Sequence, residues 1–121
     1  MGHRGNIFVK RIYAARSPED GYRILVDRLW PRGIKKEQGF IDLWLKEIAP
    51  SPALRSWFQH DPDKWATFKE RYVKELEKKC DLITLLTSKL KHGSVTLLYG
   101  AKNETCNHAV ALKDYLLKAA K

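Results

Sequence analysis

The spacing of apolar residues changes period several times along the chain, and each change marks a predicted element. Residues 6–13 (NIFVKRIY) and 22–30 (YRILVDRLW) gather β-branched and aromatic side chains into short runs, separated by the turn formers Ser17-Pro18-Glu19-Asp20-Gly21. Both runs predict strands. The link between them is too short for a helical crossover, so the two strands, if neighbours, are expected to run antiparallel. Residues 40–48 fit two templates, because Ile41, Trp44, Leu45 and Ile48 share a helical face while Ile41, Leu43 and Leu45 alternate. We read this segment as a strand.

Ser51-Pro52 supplies an N-cap and a preset first helical residue, followed by Leu54, Trp57 and Phe58 at core-facing spacing. Asp61-Pro62-Asp63 repeats the signal, and Trp65, Phe68, Tyr72 and Leu76 then form one stripe of a longer helix. Leu82, Leu85 and Leu86 predict a third helix, with Gly93 as its left-handed stop. Residues 94–99 (SVTLLY) are almost continuously apolar, as in a central strand covered on both faces. After the loop at 100–107, Leu112, Tyr115, Leu116 and Ala119 describe the inner face of a terminal helix. Interleaved strands and helices predict an α/β fold: a mixed, mostly parallel sheet with helices on both faces, in which functional residues collect at strand ends.

Composition narrows the class. The 121 residues, 44% hydrophobic and 31% charged, suit one globular domain over 1–121 rather than a disordered chain. Lys and Arg number 23 against 14 Asp and Glu, a formal charge of +9. That excess attracts anions, and it serves nucleic acid, a small anionic ligand or plain solubility equally well. No secretory leader or membrane-length apolar run is visible, so a cytoplasmic protein without a membrane partner is expected. Cys80 and Cys106 are too few for a disulfide framework and are expected as thiols.

Two segments carry candidate chemistry. Asp27-Arg28-Leu29-Trp30-Pro31-Arg32-Gly33 ends a predicted strand with two guanidinium groups around a tight turn, and Lys35 and Lys36 follow. Arginine offers a planar fork of donors to carboxylate or phosphate, and Gly33 lets backbone approach a ligand closely. The alternative is structural, with Asp27 paired to an arginine and Trp30 plugging the core. The second segment is the loop from Gly100 to His108. Its helix start offers unpaired amides to an anion, with Lys102 and Asn107 beside them, although Asn107 also suits a simple cap and His108 a packed first-turn residue. His108 is the candidate catalytic group, titrating near neutrality, and Cys106 is a weaker one, since no arginine follows it at phosphatase spacing. There is no P-loop, no Rossmann glycine fingerprint and no Cys-x-x-Cys or His-Glu-x-x-His array, so no cofactor or metal is expected.

Three stretches, RILVDRLWPRG, LWLKEIAPSPALRSWFQHDP and VTLLYGAKNETCNHAVAL, together resemble the YeaO-like family, domain of unknown function 488, from about Val9 to Leu116. The resemblance implies a bacterial or archaeal cytosolic α/β protein and no established reaction. It places signature positions on Arg11, Tyr13, Asp27, Arg28, Trp30, Pro31, Arg32, Gly33 and Lys35. Pro50, Ser51, Leu54, Arg55, Trp57, Phe68 and Tyr72 follow, then Leu97, Tyr99, Ala101, Lys102, Asn107, His108 and Ala109. A related branch carries Cys-His-Arg where this chain has Asn107-His108-Ala109, which removes the aligned thiol and arginine. The functional expectation is a small-anion site, enzymatic or not, built from Arg28, Arg32, Gly33, Lys102 and Asn107. A basic nucleic-acid-binding module is the alternative.

Overall fold

Four short strands and five helices make up residues 5–119, the part of the chain that the computed structural model describes. The strands are β1 (Ile7–Arg11), β2 (Tyr22–Leu25), β3 (Leu43–Trp44) and β4 (Val95–Tyr99). The helices are α1 (Lys36–Gly39), α2 (Pro52–Phe58), α3 (Trp65–Glu77), α4 (Cys80–His92) and α5 (His108–Ala119). The sheet order is β1-β4-β2-β3 and every pairing is parallel. β1 and β2 are therefore not partners: β4 lies between them, pairing Val9 with Leu97 on one side and Ile24 with Leu97 on the other. The short link between β1 and β2 passes over one strand position without reversing direction, so the antiparallel condition does not arise.

β4 is buried along its whole length, as its near-continuous apolar run predicts. Alternation in the parallel strands divides the core in two. Ile7, Ile24, Val95, Leu97 and Tyr99 face the main core, where α2 to α5 pack. Leu25 and Leu98 point the other way, into a smaller cluster with Ile12, covered by Trp30, Ile34, Ile41 and Trp44. Both faces carry helical cover, but unequally: four helices lie over one, and the four-residue α1 with neighbouring loops lies over the other.

The helix signals hold locally. Ser51 caps α2 through a bond from the Leu54 amide, and Asp61 opens a single 3-10 turn that leads into α3. Phe68, Tyr72 and Leu76 of α3 and Ile83, Leu86 and Leu90 of α4 are buried, each side chain contributing about 1.5–3 kcal/mol of transfer free energy. Gly93 ends α4 at φ 155°, a conformation open to glycine but not the compact left-handed stop expected. Residues 40–48 give only the two-residue β3, because Leu45 and Ile48 turn inward to the main core over a 3-10 turn at Lys46–Ile48. A side-chain network replaces long strand pairing here.

That network centres on Asp20 and Arg23, both nearly inaccessible on the less covered face of the sheet. The Asp20 carboxylate receives Lys10 Nζ at 2.7 Å, the Ser17 amide at 3.1 Å and the Arg23 guanidinium. Arg23 also donates to the carbonyls of Phe40 and Gly39, tying the end of α1 to β2. Burial pushes the Asp20 pKa up, but the bonds from Lys10, Ser17 and Arg23 outweigh it and hold the carboxyl below its ordinary value. Its stabilising contribution is therefore complete above the unfolded-state value near 3.9 and is lost as pH falls through the lower folded value. Asp20→Asn leaves a buried guanidinium without its counter-charge, and urea unfolding at neutral pH should show a loss of about 3 kcal/mol or more. Between about pH 5 and pH 3 the variant should lose less further stability than the wild type.

Candidate functional site

Parallel pairing brings the carboxyl ends of β2 and β4 to the same edge of the sheet, and the site is assembled from the residues that leave them. Asp27 follows β2 and Gly100 follows β4. Asp27 Oδ2 accepts the Gly100 amide at 2.8 Å, and a Cβ at position 100 would stand 3.1 Å from that oxygen, so glycine permits the approach. Two tryptophans fix the chain around it. Trp44 Nε1 donates to the Asp27 carbonyl at 2.8 Å and Trp30 Nε1 to the Ile34 carbonyl at 2.7 Å, and their rings meet edge to face at 5.3 Å.

His108, the first residue of α5, places Nε2 3.0 Å from the Val26 carbonyl and 3.1 Å from Asp27 Oδ1. Two acceptors around one ring nitrogen assign the proton of the neutral imidazole to Nε2 and leave Nδ1 as an acceptor. The single N–H cannot point at both oxygens. Aligned on Val26, it leaves Oδ1 of Asp27 as a charge contact without a well-directed hydrogen bond, and that atom is enclosed and otherwise unpartnered.

Arg28 extends the other way. Its Nη2 donates to the carbonyls of Ala49 and Pro50 at 3.2 and 3.3 Å, while Nε is enclosed without an acceptor. The segment it reaches is firmly held: Tyr72 donates to the Ile48 carbonyl, Lys79 to those of Glu47 and Ala49, and Glu75 binds the Ser51 amide and hydroxyl. Among the described residues, the two enclosed side-chain polar atoms without hydrogen bonds belong to adjacent residues, Asp27 and Arg28. Both residues line one open cavity of about 570 Å³.

The opposite wall of that cavity comes from α2 and the turn after it. Arg55 is exposed on α2, and Gln59 and His60 follow at φ 48° and 57°, two consecutive left-handed residues that carry the His60 ring back to 5.7 Å from Phe58. Gln59 is the left-handed stop of α2, its amide donating to the Arg55 carbonyl, and non-glycine residues in this region cost of order 1 kcal/mol each or more. Partial desolvation of the largely exposed ring lowers the His60 pKa, and the neighbouring His108 and Arg55 lower it further against the pull of Asp27. His60 is thus neutral at pH 7.

The residues singled out in the sequence are distributed unevenly. Arg28 and His108 line the cavity. Arg32, Gly33 and Lys102 are exposed and outside its lining; Arg32 contributes its carbonyl to the Tyr13 hydroxyl, and Gly33 supplies a turn at φ 76°. Asn107 is fully buried, capping α5 through Oδ1 to the Val110 amide and donating to the Asn103 carbonyl. Cys106 is half-buried outside the cavity, its amide donating to Asn103 Oδ1. Asp27 pairs with Gly100 and His108 rather than with an arginine. Arg55 and His60 escaped the chemical reading because each stands alone in sequence, although Arg55 lies among the positions marked by family resemblance. No cluster of three or more His, Cys, Asp or Glu among the described residues is arranged to hold a metal, and no described helix is long and apolar enough to cross a membrane.

Parallel strands ending at a basic, histidine-bearing cavity define an α/β domain with its ligand-sized opening at the carboxyl edge of the sheet. The chain belongs to the family of domain of unknown function 488: the family model described as "Inactive DUF488-N3 subclade" matches residues 6–121. It is similar to Uncharacterized protein YeaO of Escherichia coli (strain K12), with 50% identity over 111 residues covering 92% of this chain and 96% of that protein. It is also 38% identical over 117 residues to Uncharacterized protein Rv3073c of Mycobacterium tuberculosis (strain ATCC 25618 / H37Rv), covering 96% and 98%. The same identity and coverage relate it to Uncharacterized protein Mb3100c of Mycobacterium bovis (strain ATCC BAA-935 / AF2122/97). No solved structure matches this chain.

The two turn arginines should separate by mutation. Arg28→Ala strips the Ala49 and Pro50 carbonyls of a charged donor and should cost about 2–3 kcal/mol in urea unfolding. Arg32→Ala, at an exposed position, should stay within about 0.5 kcal/mol of wild type.

Proposed function

We propose that the cavity at the strand ends binds a small anionic ligand, phosphate or carboxylate in character. The observation that carries this reading is the convergence on one cavity of two arginines, Arg28 and Arg55, the former adjacent to Asp27, with Asp27 and Arg28 each carrying one enclosed polar atom without a directed hydrogen bond. Unsatisfied buried polar groups are rare and concentrate where a ligand or a reaction is served. Two cations against the single Asp27 carboxylate leave a positive excess even with His60 uncharged. Arg55, exposed at the cavity wall, is the ligand's principal charged partner, and Arg28, already committed to two carbonyls, fixes the shape and potential of the floor.

His108 is the group best placed to exchange a proton, with Nε2–H held toward Val26 and Asp27 and Nδ1 left as acceptor. The family's description as an inactive subclade favours binding without turnover. The departure at Asn107-His108-Ala109 agrees, since Asn107 is spent on the helix cap. The nucleic-acid alternative draws less support, because none of the four tryptophans is exposed and the exposed rings of Tyr13 and Phe40 already carry Arg11 and Arg16 over one face.

Calorimetric titration with sulfate, an anion of constant charge near neutrality, tests the site. Arg55→Ala should abolish binding while leaving stability within about 1 kcal/mol of wild type. Binding undiminished in that variant contradicts the assignment. His60, with its pKa below the ordinary 6.5, gains charge only as pH falls. Sulfate affinity should therefore rise from about pH 7.5 to about pH 5.5, and His60→Gln should flatten that rise.

A further inference from the structure

The cavity is much larger than an inorganic anion needs. A tetrahedral oxyanion displaces a volume on the order of two or three waters, roughly 70 Å³ at about 30 Å³ per water, against the about 570 Å³ of this open cavity. The observed size lies instead within the range of roughly 300–1,000 Å³ that holds organic ligands. If only an inorganic ion bound, the remaining space would be water against the exposed Leu29 and Pro52. An apolar ligand body releases that water favourably.

The lining is also polarised. Asp27, Arg28, Arg55, Ser56, His60 and His108 supply the polar groups, whereas Leu29 brings an apolar side chain to the same cavity while 67% exposed, the highest exposure among the large hydrophobic residues described. Leu29 thus presents most of its side chain to solvent beside the arginine-bearing cavity. His60 is exposed as well, its ring tilted on Phe58, and offers a flat face near the cavity mouth. Phe58 in turn stacks on Phe68 at 4.2 Å, so this wall is stiff.

Resting on the anion-site reading, we propose that the ligand is an organic phosphate monoester carrying a planar ring. The phosphate lies against Arg55 and the Arg28 edge, where two guanidinium groups outweigh the single Asp27 carboxylate. The ring lies between Leu29 and His60 and displaces water from Leu29 and Pro52. Aryl phosphates and nucleoside monophosphates share this chemistry, and they differ in the sugar set between ring and phosphate.

The test is a calorimetric comparison of inorganic phosphate, ribose 5-phosphate, phenyl phosphate, adenosine 5′-monophosphate and adenosine on the wild-type chain, Leu29→Ala and Arg55→Ala. At least one ring-bearing phosphate should bind about ten-fold or more tightly than both inorganic phosphate and ribose 5-phosphate, since contacts of a few methylenes in a pocket are worth this much. Adenosine should bind more weakly than its monophosphate. Leu29→Ala should lower affinity for the ring-bearing phosphate several-fold and leave inorganic phosphate unchanged, and Arg55→Ala should weaken both. Phenyl phosphate exceeding the nucleotide assigns an aryl ester; the reverse order assigns a nucleotide. Equal affinity for inorganic and ring-bearing phosphates, or a Leu29→Ala effect common to both, overturns the ring proposal while leaving the anion site intact. Absence of binding by every anion removes both.

Discussion

The Asp27 carboxylate is the interaction on which the candidate site depends. It leaves the end of β2, takes the Gly100 amide where β4 gives way to its loop, and faces His108 at the start of α5. One side chain thus joins two central strands and the terminal helix at the edge of the sheet. The geometry follows from parallel pairing, because only strands running the same way deliver their ends to one edge. Asp27 carries an enclosed oxygen without a directed hydrogen bond, and the next residue encloses an unpaired Nε. A fold that satisfies its other described buried side-chain polar atoms leaves these two incomplete at a cavity, and the functional reading starts from that contrast.

On the opposite face, Asp20 and Arg23 are fully engaged. Their bonds to Lys10, Ser17, Gly39 and Phe40 stabilise a region where strand pairing is short and helical cover is thin. The two ionic groups illustrate opposite uses of burial: completeness in a fastening, incompleteness in a site. Net charge, by contrast, is spread over the surface. The cavity's potential comes from Arg28 and Arg55 locally rather than from the +9 of the whole chain.

Local chemistry made much of the fold legible. Ser51-Pro52 and Asp61-Pro62 open helical segments because their capping is settled within a few residues, and the apolar run before Gly100 is the central strand because both its faces are covered. Strand order was not legible, since the insertion of β4 between β1 and β2 is a long-range event without a local signature. α1 escaped notice because a four-residue helix has no periodicity to detect, and its Arg23 contacts come from a distant strand. At the site, the strand-end rule brought Arg28 and His108 forward, and both line the cavity. The same motif reading included Arg32 and Lys102, but sequence proximity to a strand end does not determine which way a side chain leaves it. His60 depends on two left-handed residues in succession, which the sequence Gln59-His60 gives no reason to expect.

The central claim is that the protein's anion site is the cavity bounded by Arg28, Arg55, His60 and His108. Mapping a sulfate titration by two-dimensional NMR, with arginine Nε–H and histidine ring resonances included, tests it directly. The account predicts saturable shifts concentrated on those four residues and on Gly100, whose amide reports the Asp27 contact. Shifts centred instead on the exposed Arg32 or Lys102, or scattered without saturation over the lysine-rich surface, would contradict it.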